Sequence, residues 1–150
     1  MRSARGLVIA LAVLVACHPA EARRPRSRKS PHVQIDAIAT VLTQPKRVTH
    51  ENRREFLELT VRLDSASKRP SARAGDDADL ALDMTGEVKV VHDLSCGGAA
   101  VEFSKGDRIE IGGEYVKVPR GGDLIHFTHP ADGSCGTAGG HPDGYLRRKS

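Results

Sequence analysis

Residues 57–63 read Leu-Glu-Leu-Thr-Val-Arg-Leu, a strict alternation of apolar and polar side chains. Only an extended strand, whose successive side chains point to opposite faces, sorts that pattern into one dry face and one wet face. The same period of two recurs along most of the chain from Val33 onward. Val33, Ile35, Ala37, Ala39 and Val41 share one face of a strand over 33–41, and Val88 and Val90 share one over 87–93. Ile109 and Ile111 alternate with Arg108 and Glu110 until Gly112-Gly113, after which 115–118 resumes the pattern; a glycine pair inside a strand predicts a bulge or a sharp bend. Residues 124–128 form the fifth segment, with Ile125 and Phe127 expected inward and His126 and Thr128 outward.

Five strands, the fourth one bent, suit a small closed barrel. The stretch 94–106 between the third and fourth strands leaves room for a short helix or turn around 99–103. Three strands, an insert and two more strands is the order of an OB-type barrel. The expectation is therefore an all-β fold, or β with one short helix: a small five-stranded OB-like barrel over 33–147. The polar stretch 65–86, with Lys68-Arg69-Pro70 at one end and Asp76-Asp77-Ala78-Asp79 at the other, is expected to be a flexible surface loop.

Ahead of the barrel the composition changes. Two arginines in residues 1–6 precede an unbroken apolar run over 7–16. At ten residues the run falls short of the ~20 that a membrane-crossing helix needs, and it has the n- and h-regions of a secretory signal. Leu14-Val15-Ala16-Cys17 resembles the bacterial lipobox, in which the cysteine receives diacylglycerol. Ala20-Glu21-Ala22 offers a rival cleavage site, so residues 1–22 are the expected signal peptide and either Cys17 or Arg23 the mature start. Residues 23–32 alternate basic residues with proline and serine and are expected to be a disordered tether. The expected location is the bacterial cell envelope, as a membrane-anchored lipoprotein, or periplasmic or secreted.

Charge decides against one class of partner. The chain carries a net charge of +4, but residues 1–31 hold seven bases against one acid, leaving sixteen bases against eighteen acids in residues 32–150. The folded part is thus slightly acidic and lacks the footprint that holds phosphate backbones. Its five aromatic residues are few for stacking bases, and nucleic acid is not an expected partner. With Cys17 lipidated, Cys96 and Cys135 remain as a candidate disulfide in an oxidising compartment.

The second half carries a resemblance. Val91-His92-Asp93-Leu94, then residues 105–115 ending in Gly-Gly-Glu-Tyr, then Gly121-Gly122-Asp123-Leu124-Ile125-His126-Phe127-Thr128-His129-Pro130, are similar to domain of unknown function family 3465, small exported bacterial proteins. His141 and Gly144-Tyr145 fit its closing stretch. Phe127 and Tyr145 stand where the family usually has tryptophan, residues 65–86 look like an insertion, and Cys96 and Cys135 lie outside its pattern. The resemblance covers roughly 60 residues and implies a shared fold and an envelope location, without an activity.

The candidate site residues are His92, His126, His129, His141, Glu114 and Tyr115. Three readings stay open for the imidazoles: a metal site, with a transition metal such as zinc held by some three of the four; side chains hydrogen-bonded to backbone carbonyls that hold the terminal loop; or a ligand-contact rim without metal. In a regular strand His126 and His129 point to opposite faces, so the pair chelates only if the strand ends before Pro130. The chain has no G-x-S-x-G, no phosphate loop and no H-E-x-x-H. The expected function is a small lipid-anchored binding or accessory module. The alternative is a metal-dependent hydrolase on His126, His129 and His141 with Glu114 or Asp123 as base.

Overall fold

The computed structural model describes residues 30–51, 53–70, 77–96, 101–131, 141 and 143–150. The expected signal, the lipobox cysteine, most of the tether and Cys135 lie outside these. Seven strands are described: β1 (His32–Val41), β2 (Lys46–Thr49), β3 (Glu55–Lys68), β4 (Val88–Asp93), β5 (Arg108–Val116), β6 (Asp123–His126) and β7 (Tyr145–Arg148).

The alternating segments do what their period demands. Along β1 the odd-numbered residues from Val33 to Val41 turn inward, and along β3 those from Leu57 to Leu63. They meet Val88 and Val90 of β4, Ile109, Ile111 and Tyr115 of β5, and Ile125 of β6 in one core. The strands run β1-β3-β4-β6-β5, and β1 pairs with β5 as well, so the sheet closes on itself. β4 and β6 run parallel and every other pair is antiparallel. This is the closed five-stranded, OB-like barrel that the spacing implied. β2 pairs on the outside with β3, and β7 with β5.

Closure asks β1 to serve two neighbours. Its register with β3 shifts between Ile38 and Ala39: Ile38 faces Ser65 but Ala39 faces Leu63, leaving Asp64 as an extra residue on β3. Such a bulge bends the sheet and raises its twist. The inward phase of β3 slips with it, passing from Leu63 to Ala66, which packs on the core. The Asp64 carboxylate accepts from Thr40 Oγ1 at 2.9 Å.

Several local expectations are corrected. Gly112 and Gly113 form no bulge: β5 is continuous through them and its register with β1 does not shift there. They are small because neighbours press on both faces: a Cβ on Gly112 would meet Arg69 and Tyr145, and one on Gly113 would lie 2.6 Å from the His126 carbonyl oxygen and 2.9 Å from Thr128 Cγ2. No helix occurs among the described residues, and 101–104 has no regular structure. Phe103 from that stretch is nonetheless buried in the core. A turn brings Gly106 N–H to Val41 O at 2.8 Å and Val41 N–H to Asp107 O at 2.9 Å, fastening the stretch to the end of β1. The expected loop at 65–86 is shorter than its polarity suggested, since β3 runs to Lys68 and both Leu80 and Leu82 pack against the core. The fifth strand stops at His126 rather than Thr128.

At the outer edge, the Tyr145 hydroxyl donates to Asp36 Oδ1 at 2.7 Å and Arg69 also pairs with Asp36. The Arg69 guanidinium holds the Asp36 carboxyl below its ordinary range, outweighing burial. The crowding at Gly113 sets an expected outcome: Gly113→Ala lowers stability by about 1–3 kcal/mol, the usual cost of forcing atoms into a filled space, read as a lower urea midpoint with an unchanged slope.

Candidate functional site

The site forms where β4 and β6 end. β6 stops because Phe127 adopts a left-handed backbone conformation (φ 53°), uncommon for a residue with a Cβ. Ring packing fixes it there. The Phe127 ring stacks on His126 (centroids 4.0 Å, 28° between planes) and on His141 (4.6 Å, 10°). Its carbonyl lies against Gly144 so closely that a Cβ on Gly144 would overlap it. Gly144 N–H in turn donates to His129 O at 2.9 Å, tying the tail to this turn.

The left-handed residue reverses the phase of the chain. Thr128, expected outward, is fully buried and its hydroxyl bonds His92 Nδ1 at 2.8 Å. His129 is also buried, and its Nδ1–H donates to Pro130 O at 3.0 Å. Its ring meets His141 edge to face at 4.6 Å. His92, His129 and His141, separated by up to 49 positions in sequence, are all about 95% buried at this end of the barrel.

A second arrangement crosses three strands. Gln34 on β1 faces Glu114 on β5, and Glu114 faces His126 on β6. Gln34 Nε2 donates to Glu114 Oε2 at 3.0 Å, and His126 Nε2 bonds Glu114 Oε1 at 3.0 Å. Glu114 is buried, so it does not stand open to solvent as the base expected from the sequence would; it orients His126. Gln34 Oε1 is the one buried side-chain polar atom without a partner among the described residues. An orphaned acceptor costs roughly 1–3 kcal/mol. Flipping the amide would set that oxygen against the carboxylate, which is worse.

Beside these groups lies a hollow of about 170 Å³. Arg54, Phe56, Val91 and Asp93 form one side; His126, Phe127, His129 and His141 form the other. Arg54 pairs with Asp93, whose second oxygen accepts from Ser95 N–H at 2.9 Å, and Arg54 also reaches Cys96 Sγ at 3.3 Å. Larger hollows exist elsewhere. One of about 370 Å³ lies over Ile38, Ser65 and Tyr145, another of about 330 Å³ beside Leu57 and Phe103. Neither has a histidine on its wall.

Of the expected site residues, the four histidines and Glu114 come together at this rim. Tyr115 does not. Its ring is fully buried inside the barrel, and its hydroxyl donates to Asp123 and accepts from Asp83 N–H at 3.0 Å, toward the end where β4 and β6 begin. Burial, followed by the Asp123 contact, pushes the Tyr115 phenol well above its ordinary range. Asp123, the other candidate base, is bound by Tyr115 and by Lys117 Nζ at 2.9 Å. Sequence reasoning missed Gln34, Arg54, Phe56 and Asp93 as neighbours. Among the described residues no group of three or more His, Cys, Asp and Glu is arranged to hold a metal ion.

These features define a small OB-like barrel with an imidazole-rich hollow on one rim. Compared with known proteins, the chain matches no protein-family model, no curated protein and no solved structure.

Burial lowers the affinity of His92 for its proton, and the neighbouring His129 lowers it further, against smaller opposing effects of Thr128 and Asp93. The unfolded chain therefore binds more protons than the folded one just below the ordinary imidazole pKa of about 6.5. Stability from this group is complete above that value and is lost as pH falls toward the lowered one, at up to about 1.4 kcal/mol per pH unit. Urea midpoints are expected to fall between pH 7.5 and 5, and the paired replacement His92→Leu with Thr128→Val to flatten that slope whatever its absolute stability.

Proposed function

We propose that this is an exported, lipid-anchored protein of the bacterial cell envelope whose barrel binds a small ligand at the rim where β4 and β6 end. One observation carries the binding reading: the rings of His126, Phe127, His129 and His141 line one hollow together with Phe56 and the Arg54–Asp93 pair, which come from distant parts of the chain. A mostly apolar concavity with a few converging polar groups is the usual form of a ligand site. Export and anchoring rest on the apolar run over 7–16 and the lipobox at Cys17, and the resemblance to domain of unknown function family 3465 supports the envelope location.

A disulfide between Cys96 and Cys135 belongs to the same reading. Cys96 is fully buried beside the Arg54–Asp93 pair. A bridge from there would tie residue 135 covalently to the segment that follows β4. Closing a loop of about 40 residues in this way contributes ~3–4 kcal/mol.

The hydrolase alternative asks for a metal at the same histidines. The ion pair of Arg54 with Asp93 and the enclosure of Glu114 favour binding over it. Intact mass of the chain isolated from membranes tests the anchoring: the expected species begins at lipid-bearing Cys17, and an unmodified start at Arg23 sinks it. Elemental analysis of the same material tests the site. Stoichiometric zinc that is lost in His126→Ala replaces the binding reading with the hydrolase; metal-free protein with its fold retained in His126→Ala is the expected outcome.

A further inference from the structure

We infer that the rim hollow takes a small aromatic molecule carrying a hydrogen-bond donor, with His126 Nδ1 as the accepting atom and Glu114 as the residue that holds it in that role. The inference rests on the binding reading above and names its ligand class.

The tautomer of His126 follows from its partner. A buried carboxylate only accepts, and Glu114 already takes one bond from Gln34 Nε2. The bond to His126 therefore runs from Nε2–H to Oε1, and in the neutral ring that leaves the lone pair on Nδ1. Gln34 holds the carboxylate from the far side so that it cannot turn away, and it does so at the expense of leaving its own Oε1 without a partner. Nδ1 has no hydrogen-bond partner among the described residues, on a ring that is about 31% exposed and lines the hollow.

The other groups on the walls sharpen the demand. His129 spends its Nδ1–H on Pro130 O, so in the neutral ring its Nε2 is also an acceptor. Arg54 and Asp93 neutralise one another, which leaves no net charge for an ionic ligand. The walls therefore offer accepting nitrogens, aromatic faces from Phe56 and Phe127, and the side chain of Val91. The hollow, about 170 Å³, is close in size to an apolar cavity of ~150 Å³ that holds benzene. A single aromatic ring fits, and a hydroxyl or ring N–H on it supplies what His126 lacks.

The test uses the full chain with uniform ¹⁵N label near neutral pH and two probes of similar shape, phenol and its methyl ether anisole. Both are expected to shift resonances of Phe56 and Phe127, with phenol bound roughly 3- to 10-fold tighter, the range of one neutral hydrogen bond. His126→Phe keeps a ring and removes the acceptor, so the phenol-to-anisole ratio should collapse to about 1 while anisole binding stays. The positioning role of Glu114 is read separately from the ¹⁵N shifts of the His126 ring: Nε2 protonated in the native chain, a mixture of tautomers in Glu114→Ala. Equal binding of phenol and anisole by the native chain, an unchanged ratio in His126→Phe, or a native His126 protonated on Nδ1 overturns the inference and leaves the pocket reading standing. Binding of neither probe overturns this inference, and absence of any ligand-induced shift at the rim with envelope extracts overturns the binding reading as well.

Discussion

Everything in this molecule depends on one strand serving two neighbours. β1 donates and accepts along both edges, to β3 on one side and β5 on the other. A flat strand cannot do this in a sheet of five, because closure requires tilt and curvature. The extra residue at Asp64 supplies the bend opposite Ile38 and Ala39. Without closure the sheet would expose two edges and half its apolar face. With it, the inward side chains of all five strands share one core small enough for Ala37, Ala39 and Gly113 to be necessary fits.

The second determining event is the left-handed turn at Phe127. Had β6 continued in phase, Phe127 would have entered the barrel and Thr128 would have faced water. The reversal places Thr128 over the barrel end, where His92 needs a hydrogen-bond partner, and sends the Phe127 ring outward between two imidazoles. A strained backbone of this kind persists only when its surroundings over-determine it. Here the stacked rings, the close approach of Gly144 and the bond from Gly144 to His129 all act on the same few residues.

Much of this was legible in the residues and some was not, for reasons that are physical. Alternation marks a strand whose two faces meet different media, so β1, β3, β4, β5 and β6 were visible, as was their barrel order. β2 packs on the outside with little burial and β7 sends only Leu146 into the core, and Lys46-Arg47-Val48-Thr49 and Tyr145-Leu146-Arg147-Arg148 carry almost no such contrast. Gly112-Gly113 was read as a bulge or sharp bend because a missing side chain signals either flexibility or crowding, and the pattern alone does not distinguish them. The histidines and Glu114 drew attention by type, but Gln34 could not: on a strand with one dry face, a polar residue at an outward position is what any surface would show. Its burial comes from packing that no local pattern encodes. Tyr115 failed for the opposite reason. Its position in phase with Ile109 and Ile111 already directed it inward, and its chemistry was given more weight than its period.

The place of the site follows from the parallel pair β4–β6, the only one among the described strands. In an antiparallel pair the chains leave at opposite ends, but β4 and β6 run the same way and leave together at one rim. Asp93, Ser95 and Cys96 therefore emerge beside Phe127, Thr128 and His129, and the antiparallel start of β3 adds Arg54 and Phe56 to the same edge. Charges gathered this tightly must be compensated, since a lone buried ion is far costlier than a paired one. Asp93 is paired with Arg54 and bonded by the Ser95 amide, and the Glu114 carboxylate accepts hydrogen bonds from Gln34 and His126. Once those bonds are satisfied, the ionic groups have little left to offer a visitor. What remains at the surface of the hollow is aromatic area and, on the neutral rings, the second nitrogens of His126 and His129, so the rim selects by hydrogen bonding and shape rather than by charge.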